Sequence, residues 1–295
     1  MSIALQVALV MVTILVVLLV IGAPIGVAIG MSSAVSMICM IPADVSFATS
    51  AQRIFAGSNS FSLIAIPFFI LAGNIMNNGG IATRLVNCAK VISGRMPGAL
   101  AQSNVVANML FGAISGSGAA AAAAMGGTIG PLEEKEGYDK NYSTAVNVAS
   151  APVGMLIPPS NTMIVYSSVA GSVSIAALFM AGYIPGLLWG GAVMILAGIM
   201  AKKRGYQAEQ RVPVKVALKT FWQAIPSLLL IVIVIGGILG GIFTATEGSA
   251  IAVVYATVLS LIYKAFKIKD IPRIVLEAAK TTGIITFMIG LSSIM

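Results

Sequence analysis

Two short interruptions of apolar sequence carry the residue types best suited to binding chemistry. The first is the Ser-Gly-Ser-Gly turn at residues 115–118, between an apolar run at 99–114 and an Ala/Gly-rich run at 119–130. Its glycines free backbone carbonyls and its serines add hydroxyls, and such oxygen ligands suit a hard cation like Na⁺. A small-residue packing motif between helices is the alternative.

The second interruption divides the apolar run at 143–169 with three prolines and a glycine inside eight residues. Because proline removes backbone hydrogen bonds, we predict two half-helices, from Ser143 to about Val153 and from about Pro159 to Val169. Unwound carbonyls between them suit a cation. The N-terminus of the second half-helix suits a carboxylate. A proline-kinked structural helix is the alternative.

The two interruptions together supply a proposed binding site. The expected Na⁺ ligands are Ser115, Gly116, Ser117, Gly118, Ser150, Val153, Gly154 and Pro158. The expected substrate contacts are Ser117, Ser160, Asn161 and Thr162. At about 1.5 Å per helical residue, the two breaks reach about 24 Å and about 21 Å from the same side. We therefore expect the half-helix that begins at Pro159 to face the 115–118 turn.

A third feature, Thr244-Ala245-Thr246-Glu247, precedes another apolar run. Its glutamate suits a proton relay or a cation ligand. However, Thr followed three residues later by Glu is also the pattern of a helix capping box. We favour the cap.

Composition places these features in a membrane protein. The chain has 295 residues, 58% of them hydrophobic and only 9% charged, with no His and two Cys. Histidine chemistry, a zinc cluster and a disulfide scaffold are therefore excluded. The bases lie in short gaps between apolar runs, which argues against a nucleic-acid-binding face. No span contains a nucleophile–base pair, so an enzyme is the least favoured class.

The predicted fold is an all-α polytopic membrane protein with a re-entrant helical hairpin and a broken transmembrane helix. The arms of the hairpin are too short for the hydrocarbon core, which needs about 20 residues. The other apolar runs lie at 3–21, 25–41, 61–76, 175–200, 225–243, 249–263 and 281–295. A more polar stretch at 42–60 and an amphipathic, interfacial helix at 81–94 complete the first part.

The order of elements predicts an inverted repeat. The pattern span, break, span, polar helix, span describes residues 3–76 and again, from the opposite side, 225–295, which is typical of transporters. The second copy stops inside an apolar run, so we expect a fragment of a longer protein, or a fold incomplete by itself. The predicted divisions are scaffold-type helices (1–76), an interfacial arm (77–98), a transport-type region (99–171), a connecting span with a cytoplasmic linker (172–224) and a truncated second repeat (225–295).

Charge distribution predicts orientation in a bacterial inner membrane. With a periplasmic N-terminus, the loops at 77–98, 131–142, 201–224 and 264–280 share one side and hold sixteen of the 17 Lys and Arg. The positive-inside rule places those loops in the cytoplasm, so the hairpin enters from there. No Lys or Arg lies deep in a span. Helix ends and co-bound cations would therefore neutralise an anionic substrate, which favours cation-coupled import.

The chain resembles the large membrane (permease) subunit of the tripartite ATP-independent periplasmic (TRAP) transporters. The matching stretches are SFSLIAIPFFILAG at 60–73, SGSG at 115–118, LIPPS at 156–160 and GIFTATE at 241–247. They occur in the family's order along the chain. Ala245 replaces the family's usual proline and Gly248 its alanine, which affects the cap and not the proposed site. The family's second Pro-Pro motif is absent, which supports truncation.

The resemblance implies an elevator mechanism, in which a mobile domain built on the hairpins moves against a scaffold. It also implies Na⁺ as the coupling ion, a small membrane subunit as one partner and a periplasmic substrate-binding protein as another. Family substrates are organic acids: C4-dicarboxylates, sialic acids, keto acids and sugar acids. The alternatives are a stand-alone cation-coupled carboxylate transporter, an ion channel or pore, and a non-transporting membrane scaffold.

Overall fold

The structure, a computed structural model, describes residues 3–171, 173–206 and 213–295, and the regular elements in that part of the chain are all helical. The helices before the first interruption are α1 (Ile3–Val20), α2 (Ile25–Ile38), α3 (Ala43–Ser58), α4 (Ala65–Asn78, after a 3₁₀ turn at Phe61–Ile64) and α5 (Ile81–Ser93).

The two interruptions divide the middle of the chain into short helices. These are α6 (Ala99–Ser115), α7 (Gly118–Thr128), α8 (Gly130–Lys135), α9 (Lys140–Ser150), α10 (Val153–Leu156) and α11 (Asn161–Ala170). Longer helices follow: α12 (Ile175–Lys203), α13 (Val214–Leu239), α14 (Ala245–Ile262) and, after a 3₁₀ turn at Ile268–Asp270, α15 (Ile271–Ser292).

The lengths and apolarity of these helices fit a polytopic membrane protein. Among the described residues, five helices are long and apolar enough to cross a bilayer, and a bent pair formed by 140–156 and 161–170 would make a sixth. Two further apolar segments, Ala4–Val20 within α1 and Ile25–Ile38 (α2), are too short to count among these five. The all-α, membrane-spanning fold class is therefore confirmed, whereas the inverted repeat and the elevator mechanism stay predictions.

Two predicted helix starts were wrong, whereas the polar helix predicted before the 61–76 span is confirmed as α3, which packs against α2 and α15. The span predicted at 225 begins at Val214, because the basic amphipathic stretch before it continues into the same helix through Pro226. The span predicted at 281 begins at Ile271, and the proline that follows occupies a first-turn position that favours helix initiation.

Two buried clusters of apolar side chains hold the helices together. The first cluster surrounds α4, which packs closely against α14. This cluster includes Ile66, Phe69 and Met76 of α4. The second surrounds α6 and includes Leu100 and Phe111, with contributions from α5, α7, α9 and α12. The amphipathic helix α5 packs between α6 and α13. Its placement along the bilayer interface stays a prediction. The two interruptions lie where these clusters adjoin.

Candidate functional site

The first interruption forms the predicted helical hairpin turn. Helix α6 ends at Ser115 and α7 begins at Gly118. Gly116 between them has a φ of 61°, in the left-handed region that glycine adopts without strain. The Ser117 Oγ accepts a hydrogen bond from the backbone N–H of Ala120 at 3.3 Å and so caps α7. The helix–turn–helix is confirmed, and its entry from the cytoplasmic side stays a prediction.

The second interruption breaks the helix as predicted, with a bend of 50° between the two halves. The second half, α11, begins at Asn161 and not at the predicted Pro159. The physical reason is the cap: the Ser160 Oγ accepts a hydrogen bond from the N–H of Met163 at 3.4 Å and donates one to the Met155 carbonyl at 2.5 Å. Residues 157–160 are non-helical.

The two interruptions meet, as their depths predict. The Asn161 Nδ2 donates a hydrogen bond to the Ser115 carbonyl at 3.3 Å. A Cβ added to Gly116 would lie 2.8 Å from the backbone nitrogen of Asn161, so only glycine permits this approach. Asn161 is 7% exposed, and its Oδ1 makes no hydrogen bond within the described structure. The hairpin turn therefore packs directly on the N-terminus of α11.

A cavity of about 520 Å³ opens beside this contact. The hairpin turn, the ends of α10 and α11 that flank the break, helix α4 and helix α15 all contribute to its lining. Of the predicted site residues, Ser115, Gly116, Ser117, Asn161 and Thr162 line it. None of the described residues around it carries a charge. The cavity has the volume of a small-molecule site with a few convergent polar groups.

The model of one transporter family matches residues 12–295, nearly the whole chain. The family is described as "Tripartite ATP-independent periplasmic transporter, DctM component". The chain belongs to the DctM family. This confirms the resemblance seen in the sequence motifs.

Individual relatives agree with the family assignment. The chain is 50% identical over 261 residues to the uncharacterized protein YgiK of Salmonella typhimurium (88% of this chain, 60% of the relative). It is 37% identical over 255 residues to the C4-dicarboxylate TRAP transporter large permease protein DctM of Rhodobacter capsulatus (82% and 58%). It is 38% identical over 245 residues to the sialic acid TRAP transporter large permease protein SiaM of Vibrio cholerae (81% and 56%). The chain thus spans about three-fifths of these relatives.

Other predicted site residues of this DctM-family chain lie behind the cavity lining. The Ser150 Oγ lies 2.8 Å from the Asn108 Nδ2 and donates to the Val146 carbonyl at 2.8 Å. Gly154 packs against Gly112 of α6, and a Cβ on either would overlap the backbone of the other. The set outside the described lining is Gly118, Ser150, Val153, Gly154, Pro158 and Ser160. These residues lie at or beside the two helix breaks, and their roles in binding stay predictions.

Sequence reasoning missed three polar residues of the cavity. Asn74 and Asn77 come from α4, and Thr281 comes from α15. Asn74 gave a usable signal, because a carboxamide inside an apolar run has a high cost of burial unless it faces a partner or a cavity. Thr281 gave none, since it stands at the start of a predicted span. These residues add polar groups opposite the hairpin turn.

The Thr244–Glu247 feature is a capping box, as favoured from the sequence. The Thr244 Oγ1 accepts a hydrogen bond from the Glu247 N–H at 3.3 Å, and the Glu247 Oε2 accepts one from the Thr244 N–H at 2.7 Å. Ala245 replaces the family's proline at the first position of α14 without disturbing this exchange. In this structure the glutamate is therefore engaged in starting α14.

Glu133 corrects the prediction that the charged segment from Pro131 to Asn141 is an aqueous loop. Its side chain is 1% exposed, beneath α6 and α9, while its neighbour Glu134 is exposed. Burial raises the pKa of the Glu133 carboxyl, and the nearby Ser143 and Asn104 side chains partly oppose that rise. The loop thus contains one acidic group that the fold removes from water.

Proposed function

We propose that this chain is the large membrane subunit of a secondary transporter that imports an organic acid together with Na⁺. The observation that carries the proposal is the meeting of the hairpin turn with the N-terminus of α11 at an uncharged cavity of about 520 Å³. Membership of the DctM family supports transport. We propose in addition that the ion is Na⁺ and that its movement is coupled to import of the acid.

The hairpin turn supplies the oxygens for Na⁺. Ser115 and Ser117 contribute hydroxyls and carbonyls next to the left-handed Gly116. The unpartnered Oδ1 of Asn161 adds a further oxygen at the same place. Hard cations prefer such oxygen ligands. Because backbone and neutral side chains make up this set, a monovalent ion suits it better than a divalent ion.

The N-terminus of α11 supplies the donors for a carboxylate. The N–H groups of Asn161 and Thr162 lie in the first turn, where no carbonyl of the same helix is in position to accept them. The partial positive charge of a helix N-terminus favours an anion there. A bound Na⁺ at the adjacent turn would strengthen the attraction, and this is the physical basis proposed for coupling.

The substrate class and the partners follow from relatives. The names of two relatives specify C4-dicarboxylate and sialic acid, both of which carry carboxylates. We extend to this chain an organic acid substrate, a periplasmic substrate-binding protein, a small membrane subunit and a location in the inner membrane. An elevator movement of the hairpin region against the α4–α14 helices completes the proposal. A stand-alone cation-coupled carboxylate transporter is the second candidate.

The Ser117→Leu variant tests the proposed Na⁺ site at the hairpin turn. Leucine removes the hydroxyl and adds bulk at a cavity-lining position, so Na⁺-dependent uptake of labelled acid into proteoliposomes should be abolished. Expression and membrane insertion should be unchanged. Wild-type Na⁺ dependence in this variant would refute the hairpin site. Uptake without the binding protein would favour the stand-alone candidate, and ion currents without substrate would favour a pore.

Orientation has its own test. A cysteine at Lys203, at the end of α12, should be shielded from a membrane-impermeant thiol reagent in intact cells. A cysteine at Ser172, which lies outside the described residues, should react. The exposed Cys39 must first be replaced by serine, whereas Cys88 is buried. The reverse labelling pattern would overturn the proposed cytoplasmic entry of the hairpin.

A further inference from the structure

A second polar cavity, of about 350 Å³, lies at the other end of the hairpin from the substrate cavity. Its lining includes Asn104 of α6, Glu133 of α8, Tyr138, and Ser143 of α9. From Asn104 to the hairpin turn at Ser115 is eleven helical residues, or about 16 Å. The two cavities are therefore separate, and the Gly112–Gly154 contact lies between those levels.

Glu133 is the unusual member of this cavity. It is 1% exposed, and it forms no ion pair with any described residue. Its Oε1 makes no close hydrogen bond. The Ser143 and Asn104 side chains face the carboxylate and are its polar neighbours. A buried carboxylate without a partner is strongly unfavourable. A buried carboxylate oxygen that makes no close hydrogen bond and borders a cavity therefore points to a positively charged ligand.

A network of amides fixes the cavity wall from behind. The Asn108 Nδ2 donates to the Asn104 Oδ1 at 2.9 Å and lies 3.0 Å from the Asn147 Oδ1. The Asn147 Nδ2 in turn donates to the Ala122 carbonyl of α7 at 2.8 Å. The Asn104 Nδ2 makes no hydrogen bond within this network. The Asn104 side chain faces Glu133 and can donate to its second carboxylate oxygen. The wall thus joins both arms of the hairpin to α9.

We propose that Glu133, Ser143 and Tyr138 bind one Na⁺ at the base of the hairpin, as a cation site separate from the hairpin turn. A single carboxylate balances a single positive charge, and the hydroxyls supply neutral oxygens. No three His, Cys, Asp or Glu side chains gather as metal ligands in the described part of the chain, so a divalent or transition metal lacks its usual ligands here. This base site rests on the proposed function only for the identity of the ion, Na⁺.

Two other partners for Glu133 are less suitable. The Lys140 side chain lines the same cavity but is exposed and forms no ion pair with Glu133. A proton would neutralise the carboxyl but gives no role to the Ser143 and Tyr138 hydroxyls that line the same cavity. The cavity volume also suits an ion with a few waters better than a proton. An ion bound here would link α8 and α9 to the base of the moving hairpin.

Equilibrium binding of radioactive Na⁺ to the purified protein tests the site without any transport step. Glu133→Gln should lose one bound Na⁺ per chain, whereas Glu277→Gln, an exposed position on α15 outside this cavity, should keep the wild-type number. Ser143→Ala keeps the carboxylate but loses one oxygen, so its Na⁺ affinity should fall by about tenfold. Lys140→Gln removes a like charge from the rim and should tighten binding.

The outcomes separate this inference from the proposed function. Ser117→Leu should lose a different Na⁺, and its loss should add to that of Glu133→Gln. If Ser117→Leu keeps all its Na⁺ while Glu133→Gln loses one, the hairpin-turn site fails and the base site stands. Full Na⁺ stoichiometry in Glu133→Gln, or unchanged affinity in Ser143→Ala, would overturn the base site. Should Glu133→Gln fail to elute as a folded protein, the Ser143→Ala affinity decides.

Discussion

Replacement of Gly116 by valine is expected to reduce Na⁺-dependent uptake by about 100-fold or more. Gly116 has a φ of 61°, which a β-branched residue adopts only with strain. Its Cβ would lie 2.8 Å from the Asn161 backbone nitrogen and 2.9 Å from the Asn161 Nδ2. The hairpin turn would move away from α11, and a loss of about 2.7 kcal/mol in binding corresponds to about 100-fold. Initial uptake rates in proteoliposomes would measure the effect.

Gly127 provides a matched control in the same hairpin. It lies within α7, and a Cβ there would meet no atom within 4 Å. Gly127→Ala should therefore leave uptake near the wild-type rate and stabilise the helix slightly, because alanine has the higher helix propensity. Comparable uptake by the Gly116→Val and Gly127→Ala variants would show that the contact between the two interruptions is dispensable.

The Asn161→Asp variant is expected to separate the substrate from the cation. Aspartate has nearly the same size but lacks the Nδ2 donor that bonds to the Ser115 carbonyl. Its negative charge at the N-terminus of α11 would repel a substrate carboxylate while attracting Na⁺. The KM for the acid should rise by about tenfold or more, because repulsion between two like charges near a protein surface costs more than the roughly 1.4 kcal/mol that a tenfold change requires. The Na⁺ concentration for half-maximal uptake should not rise.

Asn161→Ala serves as the comparison for that variant. Alanine removes the donor and the unpartnered oxygen without adding charge, so both the KM for the acid and the Na⁺ requirement should rise. Parallel behaviour of the two variants would mean that position 161 acts only by holding the hairpin turn. An unchanged KM for the acid in Asn161→Asp would exclude the N-terminus of α11 as the carboxylate site.

Much of the candidate site could be predicted because its determinants are local. Proline and glycine act on the backbone where they stand, so the break before Asn161 and the turn at Gly116 were visible in the sequence to within two residues. The capping box at Thr244–Glu247 is likewise a pattern of four residues. Helix starts were predicted less well where an amphipathic stretch continued into an apolar span, as at Val214.

The sequence by itself determined a polytopic membrane protein, its family motifs and the two helix breaks, because composition and backbone chemistry need no distant partner. Only the tertiary structure decided which polar residues share a cavity. Asn74 and Thr281 join the hairpin turn through the packing of α4 and α15, and Glu133 is buried because α6 and α9 cover it. Such convergence depends on how distant helices rotate and pack against one another, which local spacing along a chain does not encode.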